Sequence, residues 1–121
     1  MRRSFDPGML EKKAAEVADV LRALANERRL MILCKLVEWG DANVTSLAEA
    51  VGLSQSALSQ HLARMREEGL VAFRRESQTL WYRIADPRTE TLLGHLQQLY
   101  CPPVAPAQKR KTKQVIERER S

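Results

Sequence analysis

A mainly helical winged helix-turn-helix, in the order α-α-α-α-β-β-α, is the fold class that this sequence predicts. Three observations carry it. Two helix caps, first Asn43 or Thr45 and then Ser54, stand on either side of a turn glycine, Gly52. A second glycine, Gly69, sits where the helix after Ser54 must stop in a left-handed turn, and apolar Leu70 follows it. Beyond it, Val71–Arg75 and Leu80–Ile84 read as a strand pair, with Glu76–Thr79 as the tip.

The elements follow in order. Met9–Leu24 carries Leu10, Ala14, Val17, Ala18 and Leu21 at helical spacing, which predicts a first amphipathic helix. Asn26 caps a second helix, Glu27–Trp39, which Gly40-Asp41 ends. Leu30, Met31, Ile32, Leu33, Cys34, Leu36 and Val37 make that helix apolar on most faces, so it belongs in the middle of the fold. A short third helix runs through Ala50, and the fourth spans Gln55–Glu68 with Leu58, Leu62 and Met65 turned inward. In the second strand Leu80, Tyr82 and Ile84 share one face by period two. Pro87 suits the first turn of a last helix that reaches about Tyr100 and carries Leu92, Leu93, Leu96, Leu99 and Tyr100. Pro102, Pro103 and Pro106 stop it. Residues 1–8 thus read as a disordered start, 9–101 as one domain, and 102–121 as a basic, proline-started flexible tail. The apolar stripes of the first and last helices predict a homodimer that joins through them.

The charge is unevenly placed. The 121 residues carry a formal net +5, yet residues 106–121 alone hold six Lys/Arg against two Asp/Glu. The other 105 residues hold 14 against 13, so the high pI reports the tail and does not by itself identify a nucleic-acid binder. The longest apolar run is Leu30–Cys34, far too short for a membrane span or a secretory core. A cytoplasmic protein, nucleoid-associated when bound to DNA, with no membrane partner and reduced thiols, is the expectation.

A helix-turn-helix with a wing is built to read double-stranded DNA. Its second helix enters the major groove, and the wing reaches the flanking backbone. The outward residues of the fourth helix are Gln55, Ser56, Ser59, Gln60 and Arg64. Amide and hydroxyl side chains meet base edges, and an arginine holds a phosphate. His61 stands at the edge of the apolar stripe, open to either a groove contact or a half-buried packing role. The wing offers Arg74, Arg75, Gln78 and Arg83, and alternation sends Arg74 and Arg75 to opposite faces. Arg75 and Gln78 are the candidates for DNA.

The segment Leu53-Ser54-Gln55-Ser56-Ala57-Leu58-Ser59-Gln60-His61-Leu62, with Glu68-Gly69-Leu70-Val71, resembles the reading helix of the ArsR/SmtB family of bacterial repressors. The likeness covers roughly residues 10–101. It implies a dimer that binds an imperfect inverted-repeat operator, blocks transcription and lets go when an inducer binds. Many members of that family sense metals, but the ligand positions are not filled here. Asn43 and Thr45 stand at the two cysteine slots of the third-helix site. After Asp86, the slots of the last-helix site hold Arg88, Leu99 and Pro102. His61 and His95 are isolated, so neither a metal nor another cofactor is expected.

Two cysteines remain, Cys34 in the second helix and Cys101 just after the last. Their separation forms no local cluster, and a lone cysteine among apolar residues is often a small buried hydrophobe. Arg29-Leu30-Met31-Ile32-Leu33-Cys34 together with Tyr100-Cys101-Pro102 is similar to the sulfide- and persulfide-responsive branch of the family. That resemblance implies that Cys34 and Cys101 are a sensor dithiol, bridged by small reactive sulfur species, with repression then relieved. Other oxidants or electrophiles acting on the same thiols, or inert cysteines in an anti-silencing protein, are the alternatives. An enzyme using Cys101 as nucleophile is not expected, since no base, phosphate loop or cofactor motif accompanies it.

Overall fold

Each helix of the chain starts at a residue whose side chain satisfies one of its first N–H groups. The first helix, α1, spans Pro7–Leu24 and begins two residues before the apolar spacing predicts. Asp6 Oδ1 accepts from the Gly8 N–H at 3.0 Å, and Pro7 occupies the first turn, where its missing N–H costs nothing. Asn26 accepts from the Arg29 N–H at 3.0 Å to start α2, Glu27–Trp39. Asn43, rather than Thr45, accepts from the Ser46 N–H at 2.8 Å and starts α3, Val44–Val51. Ser54 and Asp86 start α4, Gln55–Glu67, and α5, Pro87–Tyr100, in the same way. These elements come from a computed structural model, which describes residues 6–101. The expectations for residues 1–5 and for the tail, 102–121, fall outside the described residues.

The described residues also hold three short strands: β1 (Ala42–Asn43), β2 (Val71–Glu76) and β3 (Thr79–Ile84). They form an antiparallel sheet in the order β1-β3-β2. The sequence predicts β2 and β3 but not β1. Two residues carry no alternation of their own, and β1 exists because β3 pairs Tyr82 with Ala42 and Trp81 with Asn43. The hairpin is also tighter than expected. Glu76 pairs with Thr79, so only Ser77 and Gln78 form its tip.

The core gathers on α2. Ile32, Leu33 and Leu36 are fully buried there, and α2 packs against α1, α3, α5 and β3. Leu58, Leu62 and Met65 of α4 are likewise fully buried, as their spacing predicts. Leu93 of α5 and Val71 of β2 close the same cluster. Within the chain α1 leaves most of its predicted apolar stripe uncovered. Leu10, Val17 and Leu21 of the predicted stripe are exposed, and Val20, Ala23 and Leu24 make the inward contacts instead. An ion pair from Arg88 to Glu16 at 3.1 Å joins α5 to α1. The Arg88 guanidinium, helped by Lys13, holds the Glu16 carboxyl below the usual carboxylate range.

A second ion pair braces the reading helix. Arg29 Nη1 and Nη2 reach Glu68 Oε1 and Oε2 at 2.8 and 3.2 Å. Arg29 Nη1 also donates to the Ala23 carbonyl at 3.2 Å. One guanidinium thus ties the end of α1, the start of α2 and the C-cap of α4, Glu68. The fork geometry and the near-complete burial of the arginine make this stronger than an ordinary surface pair.

Ser77 holds a φ of 56°, which L side chains rarely adopt. A two-residue hairpin tip favours glycine there. Ser77→Gly is expected to raise stability by up to about 1 kcal/mol, read as a higher midpoint in chemical denaturation with an unchanged slope; a lower midpoint would contradict this account.

Candidate nucleic-acid interface and thiol pair

The polar face of α4 is open. Gln55, Ser56, Ser59, Gln60 and Arg64 are all exposed, because the other face is spent on Leu58, Leu62 and Met65. His61 is half-buried. With Gln60 and Arg64 it lines a cleft of about 400 Å³ whose opposite wall holds Arg22, Asn26 and Arg29. His61 therefore faces the α1–α2 corner across the cleft.

The wing sorts its arginines by face. Directly paired residues of an antiparallel ladder share a face. Val71, Phe73 and Arg75 lie with Ile84, Tyr82 and Leu80, while Ala72, Arg74 and Glu76 lie with Arg83, Trp81 and Thr79. The Phe73 and Tyr82 rings meet at 5.4 Å, and Arg66 of α4 stacks over Phe73 at 4.8 Å. Arg75 thus shares its face with the side on which α4 packs. Arg74, on the other face, is held by Asp41 at 3.2 Å and Glu76 at 3.5 Å, over the Trp81 ring. Arg75 and Gln78 are exposed near and at the tip.

The metal-ligand slots are occupied by structural work. Asn43 is the α3 cap, and Arg88 binds Asp86 and Glu16. Burial pushes the Asp86 carboxyl up, but bonds from the Arg88 backbone and side chain and from Thr89 outweigh it and leave it below its ordinary value. Among the described residues no three His, Cys, Asp or Glu side chains gather as a metal-binding set.

Cys34 sits half-buried on α2, beside the surface that α5 covers. Cys101 is exposed at the C-cap of α5, and both thiols are free. Burial pushes the Cys34 thiol above its ordinary value, and the charges of Cys101 and Glu38 push it the same way. The two cysteines, 67 positions apart in sequence, lie on elements that pack together, α2 and the end of α5. One residue is hydrogen-bonded to the backbone of both cysteines. Gln97 Nε2 donates to the Cys34 carbonyl at 3.3 Å, and the Gln97 carbonyl accepts from the Cys101 N–H at 2.7 Å. Sequence reasoning passes over Gln97, because a polar residue on a half-apolar helix reads as a solvated position. Its partner is a backbone carbonyl that no motif marks.

No described helix is long and apolar enough to cross a membrane. A family model for "Bacterial regulatory protein, arsR family" matches residues 26–72. The protein named Transcriptional activator HlyU, from Vibrio cholerae, is 45% identical over 92 residues, 76% of this chain and 84% of its own length. HTH-type transcriptional regulator YgaV of Escherichia coli is 39% identical over 93 residues, 77% of this chain and 94% of its own. The crystal structure of the transcriptional repressor BigR from Xylella fastidiosa matches with a TM-score of 0.73 at 35% identity, over 82% of this chain and 100% of that one. With these identities, coverages and this fold match, the chain belongs to the arsR family of bacterial regulatory proteins, DNA-binding transcription regulators that are typically dimers and not enzymes.

Proposed function

We propose that this protein is a homodimeric transcriptional repressor whose hold on an inverted-repeat operator is released when reactive sulfur bridges Cys34 and Cys101. The observation that carries the reading is that α5 packs along α2 and its Gln97 binds the Cys34 carbonyl, four residues before Cys101. Of all the described residues they are the only cysteines, and each lies on a different helix of the frame around the DNA reader.

The chemistry balances with a persulfide donor, RSSH. The exposed Cys101 thiolate attacks the outer sulfur, takes it as Cys101–S–SH and releases RSH. Cys34 then attacks the inner sulfur of that persulfide, which closes a disulfide and expels hydrogen sulfide. If Cys34 has also been persulfidated, attack of one persulfide on the inner sulfur of the other leaves a trisulfide and again expels hydrogen sulfide. Each added sulfur lengthens the bridge by about 2 Å, so a pair slightly too far apart for a relaxed disulfide selects the longer bridge. Peroxide can give only the plain disulfide and two waters.

For the DNA side, Gln55, Ser56, Ser59, Gln60 and His61 serve as groove contacts, and Arg64, Arg75 and Gln78 as backbone and flanking contacts. Exposed Met9, Leu10, Val17 and Leu21 on α1 with Leu99 and Tyr100 on α5 supply an apolar surface for a second copy. Two reading helices in such a dimer must match half-sites about 34 Å apart. A bridge that shifts α5 on α2 disturbs that spacing; a coupling of about 1–3 kcal/mol weakens binding roughly 5- to 150-fold. The V. cholerae relative is named a transcriptional activator, which favours a second reading in which this chain raises transcription; an anti-silencing protein is one form of that reading. Transcription with purified polymerase separates the two. A repressor lowers transcript level alone, whereas the anti-silencer changes it only when a silencing protein is present.

Cys34→Ser and Cys101→Ser are each expected to keep operator affinity and to lose release by persulfide in a fluorescence anisotropy titration. A single variant that still releases normally removes its cysteine from the mechanism. In the reduced protein, alkylation followed by mass spectrometry should label Cys101 well before Cys34 at neutral pH. Because burial holds the Cys34 thiol up, its thiolate grows as pH rises toward that raised value, and the gap should narrow. Equal labelling at neutral pH overturns the assigned order of attack. On the wing, Arg75→Ala should weaken binding to all sequences alike and reduce the salt dependence by about one counterion, whereas Arg74→Ala should leave that slope unchanged. The reverse pattern means that the wing presents its other face.

A further inference from the structure

Gln97 holds both ends of the dithiol at once. Its side-chain amide crosses from α5 to the Cys34 carbonyl on α2, a contact between residues 63 positions apart. Its backbone carbonyl closes the last helical bond of α5, to the Cys101 N–H. Cys101 has already left helical geometry, with φ −128° and ψ 78°, so this bond is what keeps it against the helix end. Gln97 is itself half-buried, between half-buried Leu96 and exposed Gln98. Its side-chain hydrogen bond runs between α2 and α5, which also carry apolar core residues such as Leu33, Leu36 and Leu93. Apolar packing resists separation but tolerates sliding; a directed hydrogen bond fixes register.

We infer that Gln97 is a positioning residue for the thiol pair: it sets the separation between Cys34 and Cys101, and through that the rate at which a bridge closes and the number of sulfur atoms it holds. Gln97 touches neither sulfur. It acts through the two backbones that carry them, by locking the α5 end in one register on α2. This rests on the dithiol reading above, yet the separation is a property of the reduced protein and can be measured without any sulfur donor.

Two variants test it in the full-length protein. Gln97→Leu keeps bulk and removes the donor. Gln97→Glu keeps length, but its carboxylate cannot donate to a carbonyl until it is protonated. The first measurement uses a short bis-alkylating reagent that fluoresces only when it joins two thiols. The wild type should be joined readily. Gln97→Leu should be joined about three- to tenfold more slowly, the worth of one hydrogen bond, while single alkylation of Cys101 keeps its rate. Relative to wild type at the same pH, Gln97→Glu should match Gln97→Leu in mildly alkaline buffer and recover as pH falls through the carboxylate range. A merely structural role would lower thermal stability without this pH-dependent recovery. The second measurement is the mass of the bridge formed with a persulfide donor, which should spread over more sulfur numbers in the variants than in the wild type. Unchanged joining rates and bridge masses in both variants overturn the inference, as does a wild type that the reagent cannot join. Failure of the sulfur reading looks different: the reagent joins the wild type and the variants differ, but persulfide leaves operator binding intact.

Discussion

Everything in this fold leans on the burial of α2. Its inner face of Ile32, Leu33 and Leu36 is fully withdrawn from water, and each of α1, α3, α5 and β3 rests on it. Burying three large aliphatic side chains is worth several kcal/mol, comparable with much of the stability of a domain this size. No neighbour of α2 can therefore shift far without reopening that core. Small rigid displacements remain available, since packed interfaces move between discrete arrangements rather than deforming smoothly. A regulator built on such a helix has one element through which any rearrangement must pass.

The flanks of α2 carry the polar features that matter. At its start, Arg29 grips the C-cap of the reading helix through Glu68 and the end of α1 through the Ala23 carbonyl. Further along, Cys34 faces the end of α5, and its carbonyl takes the Gln97 amide. Cys34 and the brace on α4 are thus on the same rigid rod, a little over one turn apart in sequence. In the proposed mechanism, tying Cys101 to Cys34 changes how α5 rests on α2. The brace gives α2 a direct mechanical hold on α4. Coupling then needs no long chain of side chains; it needs only that α2 and α4 keep their register while α5 changes its own.

The sequence makes the DNA reader far more legible than the sensor, for a physical reason. Caps, glycine turns and strand alternation are local rules, and Asn26, Ser54, Gly52 and Gly69 obey them in this chain. The inward face of α4 follows from spacing alone. What spacing does not reveal depends on distant partners. β1 exists only because β3 passes beside Ala42 and Asn43. The choice of Asn43 over Thr45 as cap follows from that same pairing, which ends where α3 starts. α1 carries a stripe whose Leu10, Val17 and Leu21 find no partner surface within the chain, so periodicity locates the face but not what covers it. The proposed pairing of Cys34 and Cys101 depends on α5 folding back along α2; in the sequence each is one apolar residue at an unremarkable position. Resemblance to a family supplies their pairing, whereas Gln97 is visible only in three dimensions.

The unequal environments of the two thiols bear on selectivity. A pair of exposed, acidic thiols would react with any oxidant, since thiolate character and access set susceptibility. Here one thiol is exposed and the other is half-buried and held in its protonated form by burial. The first step is open to many electrophiles, but the second is slow and requires reach. An oxidant that leaves Cys101 with a short-lived adduct loses the competition to reduction by cellular thiols before Cys34 can respond. A persulfide donor leaves a sulfur atom that extends Cys101 toward Cys34 and carries its own good leaving group. In the proposed mechanism selectivity comes from the slow second thiol, and the geometry that sets its reach matters more than the reactivity of the first.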